Sequence, residues 1–294
     1  MELVIGTIVN ILMLSSVYVL VALGFAFLFS MLRILNLAHG AIYMIGGYVG
    51  LIFIATFGLN PWIAVVLSAI IVGTFGIFLE RFCFRPFVGD FNRIVMIGVV
   101  AIITLETTVN IIAGTQTLGL PPFLAGSTSF AGTDISNQRL IIFGISALLL
   151  AATLWFAYRT RLGQQMLAIS QNMQGAALQG INVHRISSLA SFIGCALAAV
   201  AGCFMGSFLS LTPFMGDYIL VKVLILVMIA GVGSINGIVL AGFILGALDA
   251  VLPILTSGST SDAIVISVIV VILLLKPQGT SQKLKRMFAL TAAA

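Results

Sequence analysis

Apolar residues along this chain come in long continuous runs, most of them long enough to cross a hydrocarbon layer of about 30 Å. The runs carry no strict alternation of apolar and polar positions, so they predict helices and not barrel strands. Nine stretches qualify: 6–32, 40–57, 62–82, 94–114, 140–158, 187–210, 218–232, 236–255 and 262–275. The seventh is short, so the pattern predicts a bundle of eight or nine transmembrane helices, an all-α polytopic membrane protein. We expect one transmembrane domain over residues 1–294. Small residues recur four apart at Gly46/Gly50, Gly202/Gly206 and Gly242/Gly246, a spacing that lets helix backbones approach closely in lipid.

Two apolar regions are interrupted alike. "LRILNLAHGAIYMIGGYVG", residues 32–50, sets Asn36, His39 and Gly40 between apolar flanks. "LILVMIAGVGSINGIVLAGFILG", residues 224–246, sets Gly231, Gly233, Ser234, Asn236 and Gly237 in the same way. Each break is followed by a span, a proline-marked turn (Pro61, Pro253), a second span and a basic residue joined to proline (Arg85-Pro86, Lys276-Pro277). That parallel predicts an internal duplication. Interrupted segments at matching positions of two halves point to a transport path. Under that reading the breaks meet near the cytoplasmic end of the path, where Asn36, His39, Ser234 and Asn236 supply partners for freed backbone groups. Two short turns at the membrane surface would leave the same sequence pattern, and both readings stand at this point.

Composition agrees with the pattern. The chain is 61% hydrophobic and 7% charged, whereas soluble domains carry roughly a quarter charged residues. The net charge of +5 reads as an orientation signal and not as a nucleic-acid surface. Arg33, Arg81, Arg85, Arg93, Arg159, Arg161, Arg185 and the C-terminal Lys276, Lys283, Lys285 and Arg286 fall on one side if there are nine crossings. The positive-inside rule makes that side the cytoplasm, with the N-terminus outside. The opening "MELVIGTIVN" has an acid and no basic n-region, so the first run reads as a retained helix. Cys83, Cys195 and Cys203 are scattered among apolar residues and read as small core residues, not as a disulfide or metal set.

The polar residues narrow the function. Glu106, Lys222 and Asp249 lie within predicted spans. Charges there are costly, so they should face the bundle interior or one another, and Lys222 paired with Glu106 or Asp249 is the sensible arrangement. A role in recognising polar cargo is the other reading. No cluster at metal-ligand spacing surrounds His39, and no nucleophile–base pair or carboxylate pair suggests catalysis. There is no P-loop signature and no Gly-Lys dipeptide, so ATP energy, if used, must enter through a partner. Attention then falls on the basic 159–186 segment, too polar to span yet with apolar residues at helical spacing. Gln171, Gln174, Gly180 and Asn182 are its candidate coupling residues. A helix lying on the lipid surface is the alternative.

Four blocks in this order carry a family resemblance: residues 32–50, "LAISQNMQGAALQGINVHRI" (167–186), "KVLILVMIAGVGSINGIVLAGFILGALDAVL" (222–252) and "LLLKPQG" (273–279). Together they resemble the permease subunits of branched-chain amino-acid-type ABC importers, the smaller permease of the pair. The resemblance implies a bacterial inner-membrane transport subunit that is not an enzyme and needs no cofactor. Its implied partners are a second homologous permease, two cytoplasmic ATPases, an extracytoplasmic solute-binding protein and membrane lipid. It implies leucine, isoleucine and valine as cargo, with urea, amides or other small carboxylates as alternatives. An ion-coupled secondary transporter is the competing class, and Glu106 and Asp249 would then be its candidate ion ligands.

Overall fold

A computed structural model describes residues 2–32, 36–130, 133–231, 234–256, 260–261, 263–265 and 267. Ten α-helices follow in order among these residues: α1 (Glu2–Leu32), α2 (His39–Phe57), α3 (Pro61–Phe78), α4 (Phe91–Ala113), α5 (Asn137–Arg159), α6 (Arg161–Gln171), α7 (Met173–Leu178), α8 (Val183–Phe208), α9 (Met215–Ala230) and α10 (Ile235–Leu255). Among the described residues, seven helical segments are long and apolar enough to cross a membrane: α1, α2, α3 with its extension to Phe87, α4, α5, α8 and α10. The architecture is the all-α polytopic membrane fold that the apolar runs predict. The count differs. α9 has 16 residues and falls short of a full span, and the expected span 262–275 lies largely outside the described residues, as do Arg33, Gly233 and the basic C-terminal residues.

Side-chain oxygens mark several helix starts. Asn60 accepts from the Trp62 N–H with Pro61 in the first turn, Asp90 from Arg93, Asn182 from Arg185 and Ser234 from Gly237. Each satisfies one of the donors that a helix N-terminus otherwise leaves orphaned. α3 continues through a π-helical turn, Leu79–Phe84, and a short 3-10 turn, Arg85–Phe87. The 115–139 region contains an antiparallel hairpin, Ser127–Phe130 with Thr133–Ser136, which the apolar pattern does not predict. These segments are rich in Ser, Thr, Ile and Phe, too short for the spanning signal but suited to strands.

α1 and α8 form the centre. Their spans are 89% and 78% buried, against 17% for α4 and 22% for α5, which lie at the periphery. In lipid, apolar helices gain little from hiding from one another, so close packing must hold them. Glycine provides it. Cβ atoms built at Gly24 or Gly194 would overlap the other glycine's backbone, which fixes the α1–α8 crossing. One at Gly202 would overlap the Tyr43 carbonyl, and one at Gly46 the Ala199 backbone, so α2 lies against α8 without a side chain between them. Gly242 and Gly246 meet Val19 and Ser15 and bring α10 alongside α1. Gly46, Gly50, Gly202, Gly242 and Gly246 of the three small-residue pairs read from the sequence therefore sit at helix contacts, while Gly206 faces Leu120 and Leu211 of the connecting segments.

Gly194→Ala and Gly202→Ala are expected to lower the melting temperature of the detergent-purified protein by several degrees or abolish its recovery. Gly144→Ala, where an added Cβ meets nothing within 4 Å, should leave it unchanged; thermal-shift fluorescence with size exclusion reads the difference.

Candidate functional site

The first break is deeply placed. His39 opens α2, and its Nε2 lies 3.2 Å from the Val21 carbonyl of α1. A carbonyl only accepts, so Nε2 carries the hydrogen. Val21 precedes the end of α1 at Leu32 by eleven residues, about 16 Å at 1.5 Å per residue. α2 therefore begins well inside the bundle, not at the surface level of the end of α1. Asn36 and His39 are 4% and 1% exposed, and Gly40 is buried. Phe25 packs edge-on against the His39 ring, with centroids 5.6 Å apart.

This helix start is incompletely satisfied. α2 has no side-chain N-cap. Asn36 Oδ1 and His39 Nδ1 are buried without hydrogen-bond partners, each at a cost of about 1–3 kcal/mol if left so. Gly40 lies against Gly216 and Leu220 in the first turns of α9, so close that a Cβ would overlap the Gly216 carbonyl. Two helix N-termini thus cross here, each carrying a partial positive charge. The segment feeding α9 also dips inward. Leu211 is fully buried beside Gly47 and Gly206 and exchanges both backbone hydrogen bonds with Leu118. α9 is short because it starts within the protein.

The second break is of another kind, and the structure does not bring the two together. Gly231 ends α9 with φ +82°, a left-handed conformation suited to glycine. Ser234 then caps α10, and Gly237 lies against the Ala230 carbonyl. Asn236 is exposed. Gly40 touches the first turns of α9 whereas Gly231 follows its last residue, so the breaks are separated by most of that helix. From Leu220 to Gly231 is about 16 Å along the axis. The meeting expected of Asn36 and His39 with Ser234 and Asn236 is corrected accordingly: the sequence pattern is repeated, but the positions are not equivalent in depth or in partners.

The three intramembrane charges also separate. Lys222, 2% exposed, forms an ion pair with Asp249 of α10, and the Tyr18 hydroxyl of α1 donates to the same carboxylate oxygen at 2.6 Å. Lys222 Nζ lies over the Tyr218 ring at 4.0 Å from its centroid, an arrangement that favours a cation. One cluster therefore ties α1, α9 and α10 together. Glu106 is elsewhere: its carboxyl lies within hydrogen-bonding reach of Asp217 in the first turn of α9, and its Oε1 is buried without a partner.

The 159–186 segment folds into α6 and α7 between α5 and α8. Met166, Ile169 and Ala176 are buried, and Gln171 and Gln174 are exposed. Gly180, with φ +80°, closes α7, and Asn182 caps α8, so these two candidates have local structural tasks as well. Leu178, 87% exposed, is an apolar knob that the pattern did not single out. Nor did it single out Glu80. That side chain is buried and binds Arg85 through both oxygens, at 3.0 and 2.6 Å, while Ser188 of α8 joins both. On an α-helix residues five apart diverge, and it is the π-helical turn over Leu79–Phe84 that brings Glu80 and Arg85 together, so their spacing gave no signal of the pair. An apolar pocket of about 350 Å³ between α3, α5 and α8, lined by residues such as Trp62, Ile145 and Phe204, offers nothing to orient polar cargo.

Residues 7–274 match the family described as the branched-chain amino acid transport system permease component. The chain is 30% identical over 282 residues to the high-affinity branched-chain amino acid transport system permease protein LivH of Escherichia coli (strain K12), covering 90% of this chain and 91% of the relative. It is 30% identical over 286 residues to BraD of Pseudomonas aeruginosa, a permease protein of the same description, covering 92% and 93%. Identity to LivH of Salmonella typhimurium is 29% over 281 residues, covering 90% and 91%.

Breaking one partner of a buried pair costs about 3–5 kcal/mol, because the other charge stays buried alone. Lys222→Met and Asp249→Asn should each sharply lower the amount of folded protein recovered from membranes. The double variant should recover much of it. A double variant no better than the singles would show that the pair contributes nothing as a pair.

Proposed function

The chain belongs to the family of branched-chain amino acid transport permease components, and on that premise we propose that it is one permease of an ATP-driven importer of leucine, isoleucine and valine. The observation that carries the reading is the near full-length match, joined to a helix start buried within the bundle with unsatisfied polar groups beside it. The second permease, two ATPases and an external solute-binding protein would complete the assembly. The distribution of arginines supports an inner-membrane protein with its N-terminus outside and C-terminus in the cytoplasm.

Asn36, His39 and Gly40 are the part of the path we assign to this chain. The crossing N-termini of α2 and α9 favour an anion such as the carboxylate of an amino acid. The free atoms beside this crossing, Asn36 Oδ1 and His39 Nδ1, are hydrogen-bond acceptors and suit an N–H donor of the same cargo, not its carboxylate. Ser234, Asn236 and Gly237 drop out, because Ser234 and Gly237 complete a capped turn and Asn236 faces outward. The α6–α7 pair is the proposed ATPase dock. Its apolar side is spent on the bundle, while Gln171, Gln174 and Leu178 remain exposed together, an arrangement that suits a protein partner.

Membrane vesicles carrying the complete importer should take up labelled leucine only with ATP, and isoleucine and valine should compete while urea does not. In the same vesicles Gln174→Cys should cross-link to the ATPase. Uptake driven by an ion gradient without ATP would overturn the importer reading, and labelling of Gln174→Cys from the external side alone would overturn the docking and the orientation.

A further inference from the structure

Glu106 and Asp217 stand apart from everything assigned so far. Glu106 is fifteen residues into α4, within a span that is otherwise largely apolar. It is 7% exposed, and its Oε1 has no hydrogen-bond partner. Asp217, one residue after the Gly216 that crosses α2, brings a second carboxyl within hydrogen-bonding reach. Two further polar atoms, on α4 and on the neighbouring α2, are buried and unpartnered. Asn110 Oδ1 is one helical turn along the same face of α4. The Tyr48 hydroxyl of α2 belongs to a residue 5% exposed, in the packing cluster that also holds Leu105, Val109 and Met215, sequence neighbours of Glu106, Asn110 and Asp217.

Carboxyls cannot face hydrocarbon, so this side of α4 and α9 must meet water, a partner or cargo. The available groups set the chemistry. Two carboxyls, an amide oxygen and a phenol are acceptors for a compact cation with several N–H donors. Lys222 is bound to Asp249, on another side of α9. The carboxyls also sit beside the α2–α9 crossing, where two helix N-termini favour an anion.

We propose that Glu106 and Asp217 bind the ammonium group of a zwitterionic amino acid in transit, while the α2–α9 crossing faces its carboxylate. The inference rests on the amino acid importer reading and adds to it a cation-binding half on this chain. An acid that has the carboxylate but lacks the ammonium is then a poor cargo for this step.

The test uses the complete importer in proteoliposomes, with labelled leucine and its deaminated analogue 4-methylpentanoate as probes. Glu106→Gln and Asp217→Asn should each cut the maximal rate of leucine uptake tenfold or more, with the recovered amount of complex unchanged. Glu106→Asp should restore part of it. Asp217 is exposed, so its variant carries the test even if Glu106→Gln fails to assemble. Saturating 4-methylpentanoate should not slow leucine uptake by the wild type. Wild-type rates in both assembled variants would overturn the site and leave the importer reading intact. Failure of the wild-type complex to take up leucine would overturn that reading and the site with it.

Discussion

Within hydrocarbon, a helix that begins short of the membrane surface leaves its first N–H groups nowhere to go unless protein receives them. α2 begins in this way, roughly 16 Å above the end of the helix before it. It does so with no side-chain cap and with Asn36 and His39 buried beside it. Such a start is tolerable only where the surroundings are protein or a polar cavity. The remaining architecture follows from the need to enclose it: α1 passes along one side, α8 along another, and the first turns of α9 close against Gly40.

Enclosure of this kind demands near contact between backbones, and the glycines at helix crossings permit it. Gly24 with Gly194, and Gly40 with Gly216, leave no room for a methyl group. The Lys222–Asp249–Tyr18 cluster adds a directional tie among α1, α9 and α10. Its position on α9 links the stability of the bundle to the placement of the helix that crosses α2. The same helix carries Asp217 next to the crossing, so packing and proposed recognition share one element. At the other side of the fold, Glu80, Arg85 and Ser188 fix the end of α3 to the start of α8, next to the α6–α7 pair that would receive an ATPase.

Much of this was legible in the chain itself. Continuous apolar runs located the long helices, because in lipid a helix must be apolar over its whole length. The "LNLAHG" interruption marked a place where polar groups are tolerated, and it lies in the core. Lys222 needed an acid, and Asp249 provides it. Other features could not be read. Periodicity tells which residues avoid water but not which helices touch, so the choice between Glu106 and Asp249 required the fold. The two breaks look alike in sequence, yet Ser234 caps an ordinary turn while Asn36 is sealed inside; depth is set by tertiary contacts such as His39 with Val21. Asp217 sits at the edge of an apolar run and resembles a boundary residue until Glu106 is placed beside it. The hairpin at 127–136 was too short to register against the surrounding spans.

If the buried α2 start lines the transport path as proposed, Asn36 must become reachable during turnover. The most direct measurement is the rate at which a membrane-impermeant maleimide, applied from the cytoplasmic side, labels Asn36→Cys in a background with Cys83 replaced by alanine, compared with Gln174→Cys. Gln174→Cys should label rapidly at all times, and Asn36→Cys far more slowly at rest and faster when ATP, substrate and binding protein are supplied together. Labelling of Asn36→Cys at rest as fast as Gln174→Cys, unchanged by turnover, would make the break a surface turn and contradict the account.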